Sequence, residues 1–200
     1  MGGPSRTAHL LERQVKIASW SQSFPKFTTL MSETAFNLSG QPQSASVMLM
    51  SKKTAHLIRA LRPDDRPQWA ELWTDYLAFY KTSLPAEVFD STFARLLSDD
   101  AHEFHALVAE ADGRLVGLTH YLFHRHAWKI ENTCYLQDLY ARPETRGTGV
   151  GRALIEAVYK AADDNGTPSV YWLTQDFNTI ARQLYDRIGV QTPFIRYNRP

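Results

Sequence analysis

The sequence predicts a mixed α/β domain, and three observations carry that expectation. Short runs rich in Val, Tyr, Leu and Trp alternate with longer stretches whose apolar residues recur every three or four positions. Asp112-Gly113 separates two of the short runs, a signal for a tight hairpin and hence for antiparallel pairing. A stretch with three glycines, Arg146-Gly147-Thr148-Gly149-Val150-Gly151, joins a strand-like run to an amphipathic helix.

The elements follow in order. Residues 56–61 form a short strand, and Pro63-Asp64-Asp65 supplies turn and helix-start chemistry. Trp69, Leu72, Trp73, Tyr76, Leu77 and Tyr80 share one helical face. Phe89, Phe93, Leu96 and Leu97 mark a second, shorter helix after Pro85. Strands follow at residues 104–110 and 115–123, then at 133–141, which Pro143 stops. Val150, Ala153, Leu154, Ala157, Val158 and Ala161 line the buried side of a helix ending near Gly166. Residues 169–174 form a strand. Asn178 opens a last helix with Ala181, Tyr185 and Ile188 on one stripe, and Gly189 caps it. Residues 194–197 give a final strand, so the order is βααβββαβαβ.

Composition narrows the function. The chain has 200 residues, 44% of them hydrophobic, with five Trp and ten Phe, enough for a sizeable core. A net charge of +1 gives no basic excess, so nucleic acid is not an expected partner. No apolar run reaches the roughly 18 residues of a membrane helix. No Cys/His spacing suits zinc, and no metal is expected. The single Cys134 excludes an internal disulfide and suits a reducing, cytoplasmic location. The first 55 residues are rich in Ser and Thr, with Glu12 and Glu33 their only acidic residues. They read as a weakly ordered extension, a transit-type segment, or a misassigned start before Met48 or Met50.

The glycine stretch suits a pyrophosphate. Glycine tolerates positive φ and lets the backbone approach an anion. The following helix offers unpaired N–H groups and the positive end of its dipole. No Lys follows the loop, so it is not a Walker motif, and the third glycine of a dinucleotide fingerprint is missing. The competing reading is a strand-to-helix turn without ligand.

Three blocks together are more specific than the loop. They are Tyr135-Leu136-Gln137-Asp138-Leu139-Tyr140-Ala141-Arg142-Pro143, the loop with its helix at residues 146–162, and residues 178–189. With this element order, residues 56–198 resemble the GCN5-related N-acetyltransferase (GNAT) superfamily. The Leu-Gln-Asp-Leu-Tyr block looks closest to spermidine/spermine acetyltransferases and to small histone and polyamine acetyltransferases. The resemblance implies a mixed, mostly antiparallel twisted sheet with helices on both faces. It also implies a V-shaped splay between the fourth and fifth core strands.

The resemblance further implies acetyl-CoA as donor and a small primary amine as acceptor, joined by direct attack in a ternary complex. Arg146, Gly147, Thr148, Gly149, Val150, Gly151 and Arg152 match the pyrophosphate-binding segment. Leu139, Tyr140 and Ala141 match the strand end that pairs with the pantetheine arm. Asn178 matches a cofactor-contacting Asn, and it also has the chemistry of an N-cap. Tyr185 matches the tyrosine that protonates the departing thiolate. The base is less direct. Polyamine enzymes typically carry Glu where this chain has Gln137, and an amide cannot accept the proton. Asp138 is adjacent, but consecutive strand residues face opposite ways unless a bulge intervenes. A water chain to Asp138, Glu131 or a histidine is an alternative. His120, His124 and His126 read as surface or packing residues, and Cys134 as a small buried one.

Residues 76–93 and 124–132 set the substrate if superfamily geometry holds, with Tyr76, Phe79, Tyr80 and Phe89 as wall or core. Two other readings stand beside the first: a protein lysine or N-terminal acetyltransferase, and a non-catalytic acyl-CoA-binding domain. Homodimers are common in the superfamily, and a homodimer is compatible with the sequence.

Overall fold

The computed structural model describes residues 56–200, and the expected extension at residues 1–55 lies outside them. The chain runs β1 (Leu57–Ala60), a 3₁₀ turn (Pro63–Asp65), α1 (Arg66–Phe79), α2 (Ala86–Leu96), β2 (His105–Ala111) and β3 (Arg114–His124). It continues through β4 (Thr133–Ala141), a second 3₁₀ turn (Pro143–Thr145), α3 (Val150–Asp164), β5 (Val170–Trp172) and α4 (Thr179–Ile188). The five strands lie in sequence order in one sheet. Every pairing is antiparallel except β4 with β5, which is parallel. Asp112 and Gly113 both have positive φ, the geometry of a type I′ hairpin that joins β2 to β3.

Each face of the sheet is covered because each helix carries one apolar stripe. Trp69, Leu72, Trp73 and Leu77 of α1 are buried with Phe93 and Leu96 of α2 against Val108, Leu115 and Leu118. On the opposite face, Ile155, Val158 and Ala162 of α3 pack on Tyr121, Cys134 and Leu136, while Val150 and Leu154 pack on Ala109 and Val116. Leu184, Tyr185 and Ile188 of α4 lean on this second cluster.

Two features place the site. First, β5 is only three residues long. It pairs with Cys134, Tyr135 and Leu136 of β4 and then ends, so β4 runs on alone to Ala141 on that side. This is the expected splay, and it shortens the fifth strand relative to residues 169–174. Second, β4 carries a bulge. His120 pairs with Asp138 and Tyr121 with Leu136, which leaves Gln137 unpaired. Leu136 therefore packs towards α3 while Asp138, two residues on, lies under α1.

One expectation is corrected and another refined. Residues 194–197 are not a strand: Phe194, Ile195 and Tyr197 are exposed and pair with nothing in the described sheet. Strand-forming side chains do not make a strand without a paired edge. Gly189 caps α4 as expected, its N–H donating to the Tyr185 carbonyl at 2.7 Å, but its backbone is extended and not left-handed. It is a glycine for space, since a Cβ there would sit 2.7 Å from Cη2 of Trp172.

Candidate active site

The glycine loop is shaped by two left-handed glycines. Gly147 has φ of 78° and Gly149 of 99°, values that an L side chain adopts at a cost. Thr148 fixes the loop, with both its N–H and its Oγ1 donating to the carbonyl of Thr145. The first helical hydrogen bond of α3 runs from Ala153 N–H to the Gly149 carbonyl at 2.9 Å. The amides of Val150, Gly151 and Arg152 precede it and have no acceptor within the helix. No side chain caps this end. A Cβ at Gly147 would meet open space, and one at Gly149 would reach only His56, 4.0 Å away. An anion thus has both room and donors, and the loop fits the diphosphate of a nucleotide-type ligand. Arg146 is exposed, and Arg152 pairs with Glu156 at 2.7 Å on the surface.

A small cleft opens at the fork between β4 and β5. Its walls are Leu136, Gln137 and Leu139 of β4, Trp172 and Leu173, Ile155 of α3, Tyr185 of α4, and Tyr76 and Tyr80 from α1. Along residues 137–141, alternate backbone groups of β4 face the fork, where β5 supplies no partner. Burial pushes the Tyr185 phenol up to about 12, with Tyr80 contributing, so it keeps its proton at neutral pH.

Behind the cleft lies a buried polar chain. Trp69 Nε1–H donates to His120 Nε2 at 2.9 Å, and His120 Nδ1 lies 2.9 Å from Asp138 Oδ2. An indole only donates, so Nε2 is the acceptor nitrogen and Nδ1 carries the proton given to Asp138. Burial, then the Asp138 charge, raises the Tyr76 phenol above its usual range. Tyr80 is raised as well, again first by burial.

A two-sided sheet with this splay, a bulged fourth strand and an anion loop opening α3 narrows the ancestry. The Acetyltransferase (GNAT) family matches residues 61–190. The chain belongs to the GNAT acetyltransferase family. It is 40% identical over 144 residues to the D-amino-acid N-acetyltransferase HPA3 of Saccharomyces cerevisiae, covering 72% of this chain and 89% of that protein. It is 38% identical over 96 residues to the thialysine N-epsilon-acetyltransferase of Bos taurus, covering 44% of this chain and about half, 56%, of that protein. Among solved structures, AAC(6')-Iy in complex with the bisubstrate analog CoA-S-monomethyl-acetylneamine matches with a TM-score of 0.63 and 18% identity. That match covers 73% of this chain and 98% of the other. At such identity the likeness concerns the fold. The activity that goes with GNAT membership is acyl-CoA-dependent N-acetylation.

Seen as a GNAT domain, the expected site residues fall into three places. Arg146, Gly147, Thr148, Gly149, Val150, Gly151 and Arg152 form the loop and the first turn of α3. Leu139, Tyr140 and Ala141 end β4 beyond its pairing with β5, although Tyr140 itself packs towards α1. Tyr185 lines the cleft, while Asn178 sits at the start of α4 as its N-cap, accepting from Ala181 N–H at 3.4 Å. Asp138 does not line the cleft; it is buried beneath α1. Cys134 is buried and its thiol is pushed up to about 12, which makes it a poor nucleophile. Phe89 belongs to the core against Trp69 and Trp73, whereas Tyr76 and Tyr80 form cleft wall. The sequence reading missed the link from Trp69 through His120 to Asp138. Its signal is non-local, being the pairing of β3 with β4. Among the described residues no three His, Cys, Asp or Glu side chains converge as a metal site, and no helix is long and apolar enough to cross a membrane.

Proposed function

We propose that residues 56–200 form an enzyme unit that transfers the acetyl group of acetyl-CoA to a primary amine of a small molecule. The amine is of amino-acid or polyamine type, and it attacks directly in a ternary complex. The observation that carries this reading is the fork. A narrow cleft with three phenols, Tyr76, Tyr80 and Tyr185, lies beside the strand that leads into the anion loop. The relatives' activities, on D-amino acids in one case and thialysine in the other, are those of small-molecule N-acetyltransferases.

In this reading the backbone amides of residues 147–152 hold the diphosphate of acetyl-CoA, with Arg146 and Arg152 as flanking cations. Residues 139–141 pair with its pantetheine arm through backbone groups, in the manner of an added strand. Asn178 orients the same arm while capping α4. When bound, acetyl-CoA supplies an activated thioester. The chain's own work is to align the amine, exclude water and move two protons. Tyr185 holds the proton destined for the leaving sulfur, and Asp138 is the carboxylate that receives the proton of the amine. A reducing cytoplasmic setting, with or without a homodimer, is compatible with these roles.

The test is release of free thiol from acetyl-CoA with a panel of D-amino acids, thialysine-like amines, polyamines and lysine peptides. Turnover of small amines above peptides is expected. Faster turnover of peptides, or none with any amine, overturns the substrate class or the activity respectively.

A further inference from the structure

A buried acid cannot take a proton it does not touch. Asp138 has 9% of its side chain exposed and stands behind the cleft wall. Two phenols bridge the gap. Tyr76 and Tyr80 are four residues apart, one helical turn, at the C-terminal end of α1. Their rings meet edge to face, with centroids 5.1 Å apart, and both line the cleft. Tyr76 lies between Tyr80 and Asp138, its ring against that of Tyr80 and its phenol close enough to Asp138 to feel the carboxylate's charge. The order from solvent inwards is cleft, Tyr80, Tyr76, Asp138.

We infer that Tyr80 and Tyr76 form a phenol relay that delivers the proton of the substrate amine to the Asp138 carboxylate. The inference rests on the acetylation reading above. The balance is simple. The amine nitrogen gives its proton to Tyr80 Oη, the Tyr80 proton passes to Tyr76 Oη, and the Tyr76 proton passes to an Asp138 oxygen. The nitrogen loses one positive charge, the carboxylate loses one negative charge, and both phenols end neutral. A nitrogen bonding to an acyl carbon becomes strongly acidic, so a carboxylate is a sufficient final acceptor. Both phenols are raised above their usual range, which keeps them protonated and suits them to pass a proton rather than hold a charge.

His120 and Trp69 are positioning residues in this scheme. The Trp69 N–H occupies Nε2 of His120, and Nδ1–H already donates to Asp138. The ring is thereby set as a donor and the proton stops at Asp138. His120 from β3 touches Asp138 and Tyr76 from α1 lies next to it, while Tyr80, just after α1, and Tyr135 of β4 feel its charge from farther away.

The experiment compares Tyr80→Phe, Tyr76→Phe, the double variant and Asp138→Asn in the full chain, with the best amine found in the panel. Each single change is expected to lower kcat about 10²-fold, and the double variant no further than the worse single one, because a broken relay cannot be broken twice. The rate of the wild type in H₂O/D₂O mixtures is expected to curve with deuterium fraction, as more than one proton moves, and that of Tyr80→Phe to become linear. Calorimetric affinity for acetyl-CoA is expected to stay within threefold in all variants. Wild-type kcat in either phenylalanine variant, or losses that multiply in the double variant, overturns the relay. Absence of turnover by the wild type with every amine would instead sink the acetylation reading, and the calorimetry would still report on the cofactor site.

Discussion

The His120 ring and the Asp138 carboxylate meet 2.9 Å apart because Gln137 is left out of the β3–β4 pairing. The extra residue turns Asp138 away from α3, where Leu136 packs, and under α1. A feature of backbone register thus decides where a carboxylate can act.

That pair has a stability consequence. His120→Phe removes the partner of both the Trp69 N–H and Asp138, each of them buried. Leaving the buried indole N–H unpaired and the buried carboxylate short of its imidazole partner costs roughly 2–4 kcal/mol, even with the ring retained. Chemical denaturation of this variant is expected to show that loss. Wild-type stability would mean that water replaces the imidazole on both partners.

The anion loop is expected to depend on shape more than on its arginines. Gly149→Asp places a side chain at a φ of 99° and a negative charge before the first turn of α3. Acetyl-CoA affinity should fall at least tenfold. Gly151→Glu should do the same with little change in stability, because a Cβ there lies 3.4 Å from the flexible end of Leu184 and the backbone is already helical. Unchanged calorimetric affinity in a folded Gly149→Asp variant would remove the cofactor from this loop.

Most of the element order was legible because its signals are local: the stripe from Trp69 to Tyr80, the Asp112-Gly113 turn, and the glycines before Val150. The glycine loop stands out by its own residues, and the resemblance, which rests on spacing within contiguous blocks, adds the expectation for Tyr185. The rest depends on contacts between distant segments. Nothing in the run Leu136-Gln137-Asp138 marks Gln137 as a bulge, since that depends on how β3 aligns beside it. His120 read as an ordinary packing residue because Trp69 is 51 positions away. The tail at residues 194–197 looked like a strand for its side chains, yet no strand edge receives it. Gly189 is the cap its position suggests, but the reason for a glycine there is the Trp172 ring, a contact no local pattern shows.

A second ion cluster is expected to weaken the fold at acid pH. Asp65 accepts from both terminal nitrogens of Arg59, at 2.6 and 2.9 Å, and from the Arg62 N–H at 2.7 Å. The Arg59 side chain, foremost, holds its carboxyl below the usual carboxylate range. The folded protein therefore binds this proton less readily than the unfolded chain does. The stabilisation is complete above the unfolded value of about 4 and is lost as pH falls through the lowered folded value. Thermal unfolding from pH 3 to 7 should show a falling Tm at the acid end, and Asp65→Asn should flatten that limb. Identical slopes in the two proteins would assign the acid sensitivity to other carboxylates.

Tyr185→Phe is the sharpest test of the proposed chemistry. The change keeps the ring, which packs edge to face on Trp172 with centroids 5.5 Å apart, and removes only the hydroxyl. A phenol pushed up to about 12 is a reluctant donor towards a thiolate in water, whose reference value is near 8.5. Within the cleft the comparison changes, because a thiolate formed there is desolvated by the same walls and becomes more basic. If Tyr185 supplies that proton, kcat should fall by roughly 10² to 10⁴, while affinity for acetyl-CoA changes far less. A loss of Tm without a loss of kcat would make the hydroxyl a structural partner only. Wild-type kinetics would mean that the sulfur departs as a thiolate or takes its proton from water, and Tyr185 would then serve the cleft through its ring alone.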